Sequence, residues 1–293
     1  MATCWTPLLL TLAGTLPLVF GQPGDVCMFL QRHCLPEATC DPLLRRCVCP
    51  ADRPIGNGLF QCVRATDFYC ESTADPKILT YSGGKGSLTL PCRHCLTKFY
   101  TPLSGGAPPT THCGVEVFGI NNHVKRGRYF EESMEVVLYV GQLGAGGNFL
   151  MEHNIFFYLQ RHILNYRSTE TLPWQEANPY EKDVDMPWHG ISISITYNAA
   201  ERFVTFSFPE CDVQIKFRPY APNERPQKLL PGIGIQAPQA ALFGLGASSG
   251  FPACLCMVPG ANPDLNELAE EQWLNCPKQL YMWAVLRNGP HQR

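Results

Sequence analysis

The amino-acid sequence predicts a mainly β protein in which a small disulfide-rich module precedes a larger antiparallel β-sandwich with one short C-terminal helix. Three observations predict this fold class. Six of the 15 cysteines fall within residues 27–62, a segment too short to bury a sufficient core without covalent cross-links. From Cys70 onward, apolar residues recur at every second position, which is the period of a half-buried strand. Helical spacing is predicted only over residues 262–269.

The N-terminus has the features of a secretory signal peptide. The apolar run over residues 8–20 is too short to span a bilayer. Val19 and Gly21 are small enough for the −3 and −1 positions of a cleavage site. No Lys or Arg precedes the apolar run, which departs from the usual pattern. We predict that residues 1–21 are removed and that the protein, beginning at Gln22, is secreted into the extracellular space.

The cysteine count agrees with an oxidising compartment. Loss of the signal peptide deletes Cys4 and leaves 14 cysteines, an even number that permits complete pairing. No later segment has 18 uninterrupted apolar residues, so no membrane span is predicted. The net charge of −2 gives no electrostatic attraction to nucleic acid or an anionic membrane. Disulfides are predicted at Cys27, Cys34, Cys40, Cys47, Cys49, Cys62, Cys70, Cys92, Cys95, Cys113, Cys211, Cys254, Cys256 and Cys276.

The first six cysteines have the spacing of an extracellular module. They are separated by 6, 5, 6, 1 and 12 residues, the fourth and fifth enclose only Val48, and Gly56-Asn57-Gly58 precedes the sixth. This pattern resembles an EGF-like module, which we assign to residues 22–66. The resemblance implies pairing of the first cysteine with the third, the second with the fourth, and the fifth with the sixth. The implied disulfides are Cys27–Cys40, Cys34–Cys47 and Cys49–Cys62.

The strand patterns of the larger domain are of two kinds. Residues 191–197, 203–208 and 213–217 alternate apolar with polar side chains, as half-buried strands do. Residues 134–140, interrupted only by Glu135, and residues 155–159 are apolar runs rich in β-branched or aromatic side chains. These two runs are predicted to be inner strands that are buried on both faces.

The predicted C-terminal helix depends on five residues. Asn262 is a favourable N-cap, and Pro263 suits the first helical position because its missing N–H needs no partner there. Leu265, Leu268 and Ala269 would then lie on one face. This helix is the only one that the sequence predicts.

The start of the larger domain carries a second resemblance. Residues 70–83 read Cys-Glu-Ser-Thr-Ala-Asp-Pro-Lys-Ile-Leu-Thr-Tyr-Ser-Gly, Pro-Cys follows at 91–92, and a glycine-rich stretch occupies 242–250. The segment resembles a von Willebrand factor type D (VWD) domain, which opens with a cysteine, Gly-Asp-Pro-His, Thr-Phe-Asp-Gly and a Gly/Pro-Cys pair. The resemblance implies an extracellular assembly domain, which we assign to residues 67–293. The matching residues are Asp75, Pro76, Thr80, Gly83 and Cys92.

Both resembled families have calcium-binding members, but this chain lacks several of the ligands that the resemblances imply. Only one carboxylate, Asp25, precedes the first cysteine, and Ser82 stands where the VWD pattern has aspartate. Asp264, Asn266 and Glu267 are interpreted as first-turn residues that the helix dipole favours. No metal ligand is therefore predicted.

The motif Cys92-Arg93-His94-Cys95 permits three interpretations. Arg93 and His94 would lower a thiol pKa in a redox pair, but the motif follows a strand instead of opening a helix. Together with Cys254 and Cys256, the two cysteines would also suit zinc. Structural disulfides with distant partners are preferred, because pairing consumes the thiolates that zinc needs.

No catalytic site or cofactor site is predicted. The zinc-protease, phosphate-loop and dinucleotide motifs are all missing from the sequence. His153 and His162 lie beside aromatic residues and are interpreted as half-exposed strand positions.

These observations favour a non-enzymatic, secreted structural or interaction protein of matrix, coat or mucus that acts by binding extracellular proteins. One alternative is a diffusible ligand that acts on a receptor through the EGF-like module. The other is a secreted enzyme of unrecognised type, for which the sequence offers no candidate cluster.

Overall fold

The computed structural model describes residues 34–44, 46–73, 77–81, 83–87, 93–105, 108, 110–125, 128–144, 149–220, 231–243 and 254–256. Several sequence predictions fall outside these ranges. They concern the signal peptide, Asp25, Cys27, Asp75-Pro76, Ser82, Cys92, residues 244–250, the helix over 262–269 with Asp264, Asn266 and Glu267, and Cys276.

Two short hairpins form the small module, which the structure describes from Cys34 onward. Strand β1 (Thr39–Asp41) pairs with β2 (Arg46–Val48), and β3 (Ile55–Gly56) pairs with β4 (Cys62–Val63). So small an element cannot bury much apolar surface by itself. Its buried apolar side chains include Leu35, Ala38, Cys47, Phe60 and Cys62.

Disulfides cross-link the small module. One joins Cys34 to Cys47 and another joins Cys49 to Cys62, and both pairs are among the three that the EGF-like resemblance implies. Cys40 is also disulfide-bonded, to a partner outside the described residues. These bonds restrict the unfolded chain and so compensate for the small core.

The rest of the described chain forms two antiparallel sheets and one short 3₁₀ turn, η1 (Pro209–Cys211). The strands are β5 (Phe68–Thr73), β6 (Lys77–Leu79), β7 (Lys85–Ser87), β8 (Arg93–Pro102), β9 (Thr111–Lys125), β10 (Arg128–Leu143), β11 (Phe149–Gln160), β12 (Ile163–Ser168), β13 (Leu172–Ala177), β14 (Val184–Trp188), β15 (Ile191–Asn198), β16 (Phe203–Phe208), β17 (Val213–Arg218), β18 (Gly232–Ala237) and β19 (Leu242–Phe243).

One sheet has seven strands in the order β13-β12-β11-β10-β9-β8-β19, and the other has eight in the order β14-β15-β16-β17-β18-β5-β6-β7. The prediction of a mainly β, antiparallel fold is confirmed. Within the described ranges there is no α-helix, and accordingly no helix with the length and apolar character that a membrane crossing requires.

The two sheets pack face to face around a common core. The three isoleucines of β15 are buried, as the alternating pattern predicted. From the seven-stranded sheet, Phe157 contacts Phe206 and Phe208 of the eight-stranded sheet, with ring centroids 5.8 and 6.4 Å apart. Aromatic contacts of this kind contribute more than their buried area alone. The larger unit is therefore a β-sandwich.

The two apolar runs lie on inner strands of the seven-stranded sheet, as predicted. On β10, Met134 and Val136 face the core while Glu135 between them is also buried. On β11, Phe156 and Tyr158 are only half-buried. Burial on both faces, which was predicted for both runs, therefore holds around Glu135 but not along β11, whose second face is partly open to solvent.

Three disulfides in the described ranges tie the sandwich together. One joins β9 of the seven-stranded sheet to η1, the turn that follows β16 of the other sheet. Two more hold residues 254–256 against β8 of one sheet and β5 of the other. Backbone hydrogen bonds from this segment to β8 add to the attachment. The three bonds are Cys113–Cys211, Cys95–Cys254 and Cys70–Cys256.

The small module packs on the face of the eight-stranded sheet that points away from the sandwich core. The Phe60 ring lies 4.5 Å from that of Phe203, and the Arg218 guanidinium lies 3.8 Å from the Phe203 ring centre. At Gly234, a Cβ atom would come within 2.8 Å of the Phe60 ring. Glycine at this position therefore lets the module approach the sheet closely.

Polar contacts also hold the small module against the eight-stranded sheet. Gln61 donates to Gln214 at 3.1 Å. Arg64 forms ion pairs with Asp67 at 2.8 Å and with Asp212 at 2.9 Å. The Asp67 side chain is 3 % exposed, so the chain between module and sandwich is a packed junction and not an extended linker. Phe60 and Phe203 share one hydrophobic cluster, which the module does not complete alone.

Candidate binding cleft

A cleft of about 610 Å³ opens where the small module meets the edge of the eight-stranded sheet. Both units supply its walls, so the cleft exists only because the module is docked. Such concave, partly apolar sites are typical of ligand binding. The module contributes Arg46, Val48, Pro54, Asn57 and Leu59, and β5, β6 and β7 contribute Glu71, Lys77, Ile78, Leu79 and Lys85.

Asn57 connects the two walls. Its Oδ1 accepts hydrogen bonds from the backbone N–H groups of Leu59 and Phe60, at 2.9 and 2.8 Å, which fixes the turn around it. Its Nδ2 donates to both carboxylate oxygens of Glu71, at 2.9 Å each. Asn57 lies between Gly56 and Gly58, which belong to the sequence pattern of the module. That pattern does not indicate that Asn57 contacts Glu71.

The Glu71 carboxylate is buried at the floor of the cleft. The Tyr69 hydroxyl donates to it at 2.6 Å. Burial raises the pKa of Glu71, although the hydrogen bonds from Tyr69 and Asn57 and the charge of Lys85 lower it in part. Burial and the neighbouring carboxylate also raise the pKa of Tyr69 well above its ordinary value. At the floor of the cleft, Glu71 is therefore part of an ordered hydrogen-bonded group with Tyr69 and Asn57.

The rim of the cleft is basic. Arg46, Lys77 and Lys85 are exposed and line the opening, whereas Glu71, the one acidic side chain among the described lining residues, is buried. Between them, Leu59 and Leu79 present apolar walls. An apolar cleft with a cationic rim suits a protein segment that carries an acidic side chain beside an apolar one, because complementary charge steers and orients binding.

A second exposed feature lies at the β1–β2 hairpin of the module. Leu43 is 88 % exposed and Leu44 is 56 % exposed. The Asp41 carboxylate accepts hydrogen bonds from both backbone N–H groups, at 2.8 and 2.9 Å. These hydrogen bonds fix the backbone of Leu43 and Leu44 in a local turn without the need for a binding partner.

A change at Asn57 tests the floor of the cleft. Asn57→Asp keeps the turn but places a second carboxylate against buried Glu71, so we expect the free energy of unfolding at pH 7 to fall by roughly 3 kcal/mol. The raised pKa of Glu71 means that the native state holds its proton more tightly than the unfolded chain does. The contribution of Glu71 to the free energy of unfolding is therefore greatest in acid and declines as pH rises above about 4.

The loss of unfolding free energy in Asn57→Asp, relative to Asn57→Ala, should consequently become smaller as pH falls toward 4. Chemical denaturation of the wild type and the variant across pH 4–8 measures it. Asn57→Ala, which removes the bridge without adding a charge, is the control for turn disruption. If the two variants differ by the same amount at every pH, Glu71 is not the group that opposes the new carboxylate at position 57.

The structure describes three of the four residues of the Cys92–Cys95 motif, from Arg93 onward. Cys95 pairs with Cys254, 159 residues away in the chain, which is the distant partner that the structural interpretation requires. Arg93 forms an ion pair with Glu135 at 2.6 Å and lies 3.5 Å from the centre of the Phe118 ring. Since Cys95, Cys254 and Cys256 are all in disulfides, the zinc interpretation loses three of its four thiolates.

The described residues also contain a buried group of hydrolase-like side chains. The Ser72 hydroxyl donates to the Glu131 carboxylate, and His94 Nε2 lies 3.4 Å from the same carboxylate. All three side chains are inaccessible to solvent or nearly so. The carboxylate lies between the hydroxyl and the imidazole, whereas nucleophile activation requires the imidazole in the middle. The group links β5 of the eight-stranded sheet to β8 and β10 of the seven-stranded sheet.

Of the two histidines considered from the sequence, only His153 joins a cluster. It lies on β11, close to Glu170 and His189, while His162 lies exposed in the next turn. Nothing in the linear sequence connects these three residues, because they come from three separate turns or strands. No family model matches the chain, and no curated protein matches it significantly.

Proposed function

We propose that the protein is a secreted structural or interaction component of an extracellular matrix, coat or mucus, and that it captures a segment of a partner protein in the cleft. The small module would be EGF-like and the sandwich VWD-like. The single observation that carries the proposal is the cleft itself, whose two walls come from different units and whose rim is cationic.

Two further observations support an extracellular setting. Five disulfides occur among the described residues, a density that is typical of oxidising compartments. Every cysteine in the described ranges is disulfide-bonded. Such cross-linking resists unfolding outside the cell, where no chaperone system repairs the chain. It suits a component that must persist in an assembly.

The partner segment that fits best carries an acidic residue flanked by apolar residues. The acidic side chain would pair with Lys77 and Lys85 at the rim, and the apolar ones would cover Leu59 and Leu79. Exposed ion pairs add little affinity by themselves. The apolar contact is therefore expected to supply most of the affinity, and the charges to supply selectivity and association rate.

Selection of a random peptide library on the full chain tests this proposal. We expect enriched peptides to contain Asp or Glu beside apolar residues, and the Lys77→Glu/Lys85→Glu double variant to bind them at least about 10-fold more weakly. The matched control is Arg161→Glu/Lys182→Glu, which reverses two exposed charges outside the cleft. Equal binding by both double variants, or enrichment of basic peptides, would contradict the proposal.

A second candidate function has one observation in its favour. The ordered, exposed Leu43–Leu44 tip is a suitable anchor for a receptor, which would make the protein a diffusible EGF-type ligand. The full chain with Leu43→Asp/Leu44→Asp separates the two candidates. Loss of cell-surface binding in this variant, with the cleft variant unaffected, would favour the ligand function.

A further inference from the structure

Three metal-ligating side chains meet at one end of the sandwich, far from each other in the sequence. His153 belongs to β11, Glu170 to the turn between β12 and β13, and His189 to the turn between β14 and β15. One ligand atom from each lies within 4.8 Å of the other two. The imidazole rings of His153 and His189 are stacked, with centroids 3.7 Å apart.

The local backbone holds each of the three in place. The pairing of β10 with β11 shifts register between Val140 and Gly141, next to the His153 pair, and bulges of this kind redirect neighbouring side chains. The turn that bears Glu170 is held by a hydrogen bond from the Thr169 hydroxyl to Asn154 at 3.3 Å.

The tight turn between β14 and β15 fixes the position of His189. This residue has a φ of 45° and is followed by Gly190 with a φ of 80°, the positive-φ pair that a tight two-residue hairpin requires. Histidine, like Asn and Asp, is among the residue types that are enriched at positive φ. The turn places the His189 imidazole against that of His153.

The electrostatics of the cluster favour a cation. The Glu170 carboxylate contacts His153 Nδ1, which places an anionic oxygen beside the two imidazoles. In the absence of a metal, the carboxylate contact orients the His153 ring.

We propose that His153, Glu170 and His189 form a Zn²⁺ site. Two imidazole nitrogens and one carboxylate oxygen are a ligand set that zinc accepts, with Zn–N and Zn–O distances of about 2.0–2.2 Å. Ligands at such distances lie about 3–3.5 Å from each other in a tetrahedron. Because His153 is 31 % and Glu170 45 % exposed, these side chains have room to rotate out of the stacked arrangement and direct their ligand atoms at one ion. The fourth position is left for water or a group from a partner.

The site would join the two sheets. His153 and Glu170 belong to the seven-stranded sheet and its turn, and His189 to the eight-stranded sheet. A bound ion would therefore cross-link the sandwich at this end, much as Cys113–Cys211 does elsewhere. Because an ion that binds only the native state stabilises it by mass action, Zn²⁺ should raise the melting temperature.

Titration of the full chain with ZnCl₂, followed by calorimetry and thermal unfolding, tests the site. The wild type should bind one Zn²⁺ with a raised melting temperature. Glu170→Gln and His189→Asn should each weaken binding at least about 10-fold and abolish the thermal shift. Asn tolerates the positive φ at position 189, so His189→Asn should still fold.

His162→Asn is the control, because His162 is also exposed on the seven-stranded side but lies outside the cluster. It should bind Zn²⁺ like the wild type. Failure of the wild type to bind Zn²⁺, or equal affinity in the wild type, Glu170→Gln and His189→Asn, would overturn the proposal.

Discussion

Replacing Cys113 and Cys211 together by alanine is expected to lower the free energy of unfolding by about 2–5 kcal/mol. The two residues are 98 positions apart and both are buried. Their bond joins a central strand of the seven-stranded sheet to the turn after β16 of the other sheet. The unfolded chain therefore gains much freedom when the bond is lost, since a longer closed loop restricts it more. Denaturant unfolding measures the change.

The Cys34→Ala/Cys47→Ala variant provides the comparison within the same chain. Its bond closes a loop of 13 residues, so the chain-entropy argument predicts a loss roughly 1–2 kcal/mol smaller. A loss below about 1 kcal/mol in Cys113→Ala/Cys211→Ala would show that this bond does not hold the two sheets together.

Phe60→Ala is expected to lower the free energy of unfolding by about 3–5 kcal/mol. The Phe60 side chain is 1 % exposed and contacts Phe203 on the eight-stranded sheet. Its removal leaves a cavity between module and sheet and takes an aromatic partner from Arg218. The loss would appear in equilibrium unfolding of the full chain as a lower transition midpoint.

Leu43→Ala is the matched control for Phe60→Ala, because Leu43 is on the same module but is 88 % exposed. Its effect should stay within about 0.5 kcal/mol. If both variants unfold at the same midpoint as the wild type, the module does not rest on the sheet, and the cleft would lose one wall.

The sequence was most informative where local patterns determine structure. Alternation places Ile191, Ile193 and Ile195 in the core because a strand exposes its two faces in turn. The apolar run over residues 134–140 also lies on an inner strand, as predicted. The burial of the second face of this strand was less predictable. Glu135 on that face is paired with Arg93, which lies on β8 and is distant in the sequence.

The sites depend on contacts that no local pattern contains. The Asn57–Glu71 bridge and the Phe60–Phe203 contact form only because the module docks on the sheet. Likewise, His153, Glu170 and His189 meet only when two sheets pack and three turns converge. Side chains separated by folded strands carry no shared periodicity, so tertiary structure is needed to find them.

Amide hydrogen exchange of the full chain, with and without a peptide selected on it, tests the central claim most directly. A segment bound in the cleft should slow exchange in both walls together, over residues 46–59 of the module and residues 77–86 of the sheet edge. The Lys77→Glu/Lys85→Glu variant should show neither change at the same peptide concentration. Protection confined to one wall, or located elsewhere in the described sandwich, would contradict a binding function built by the two units jointly.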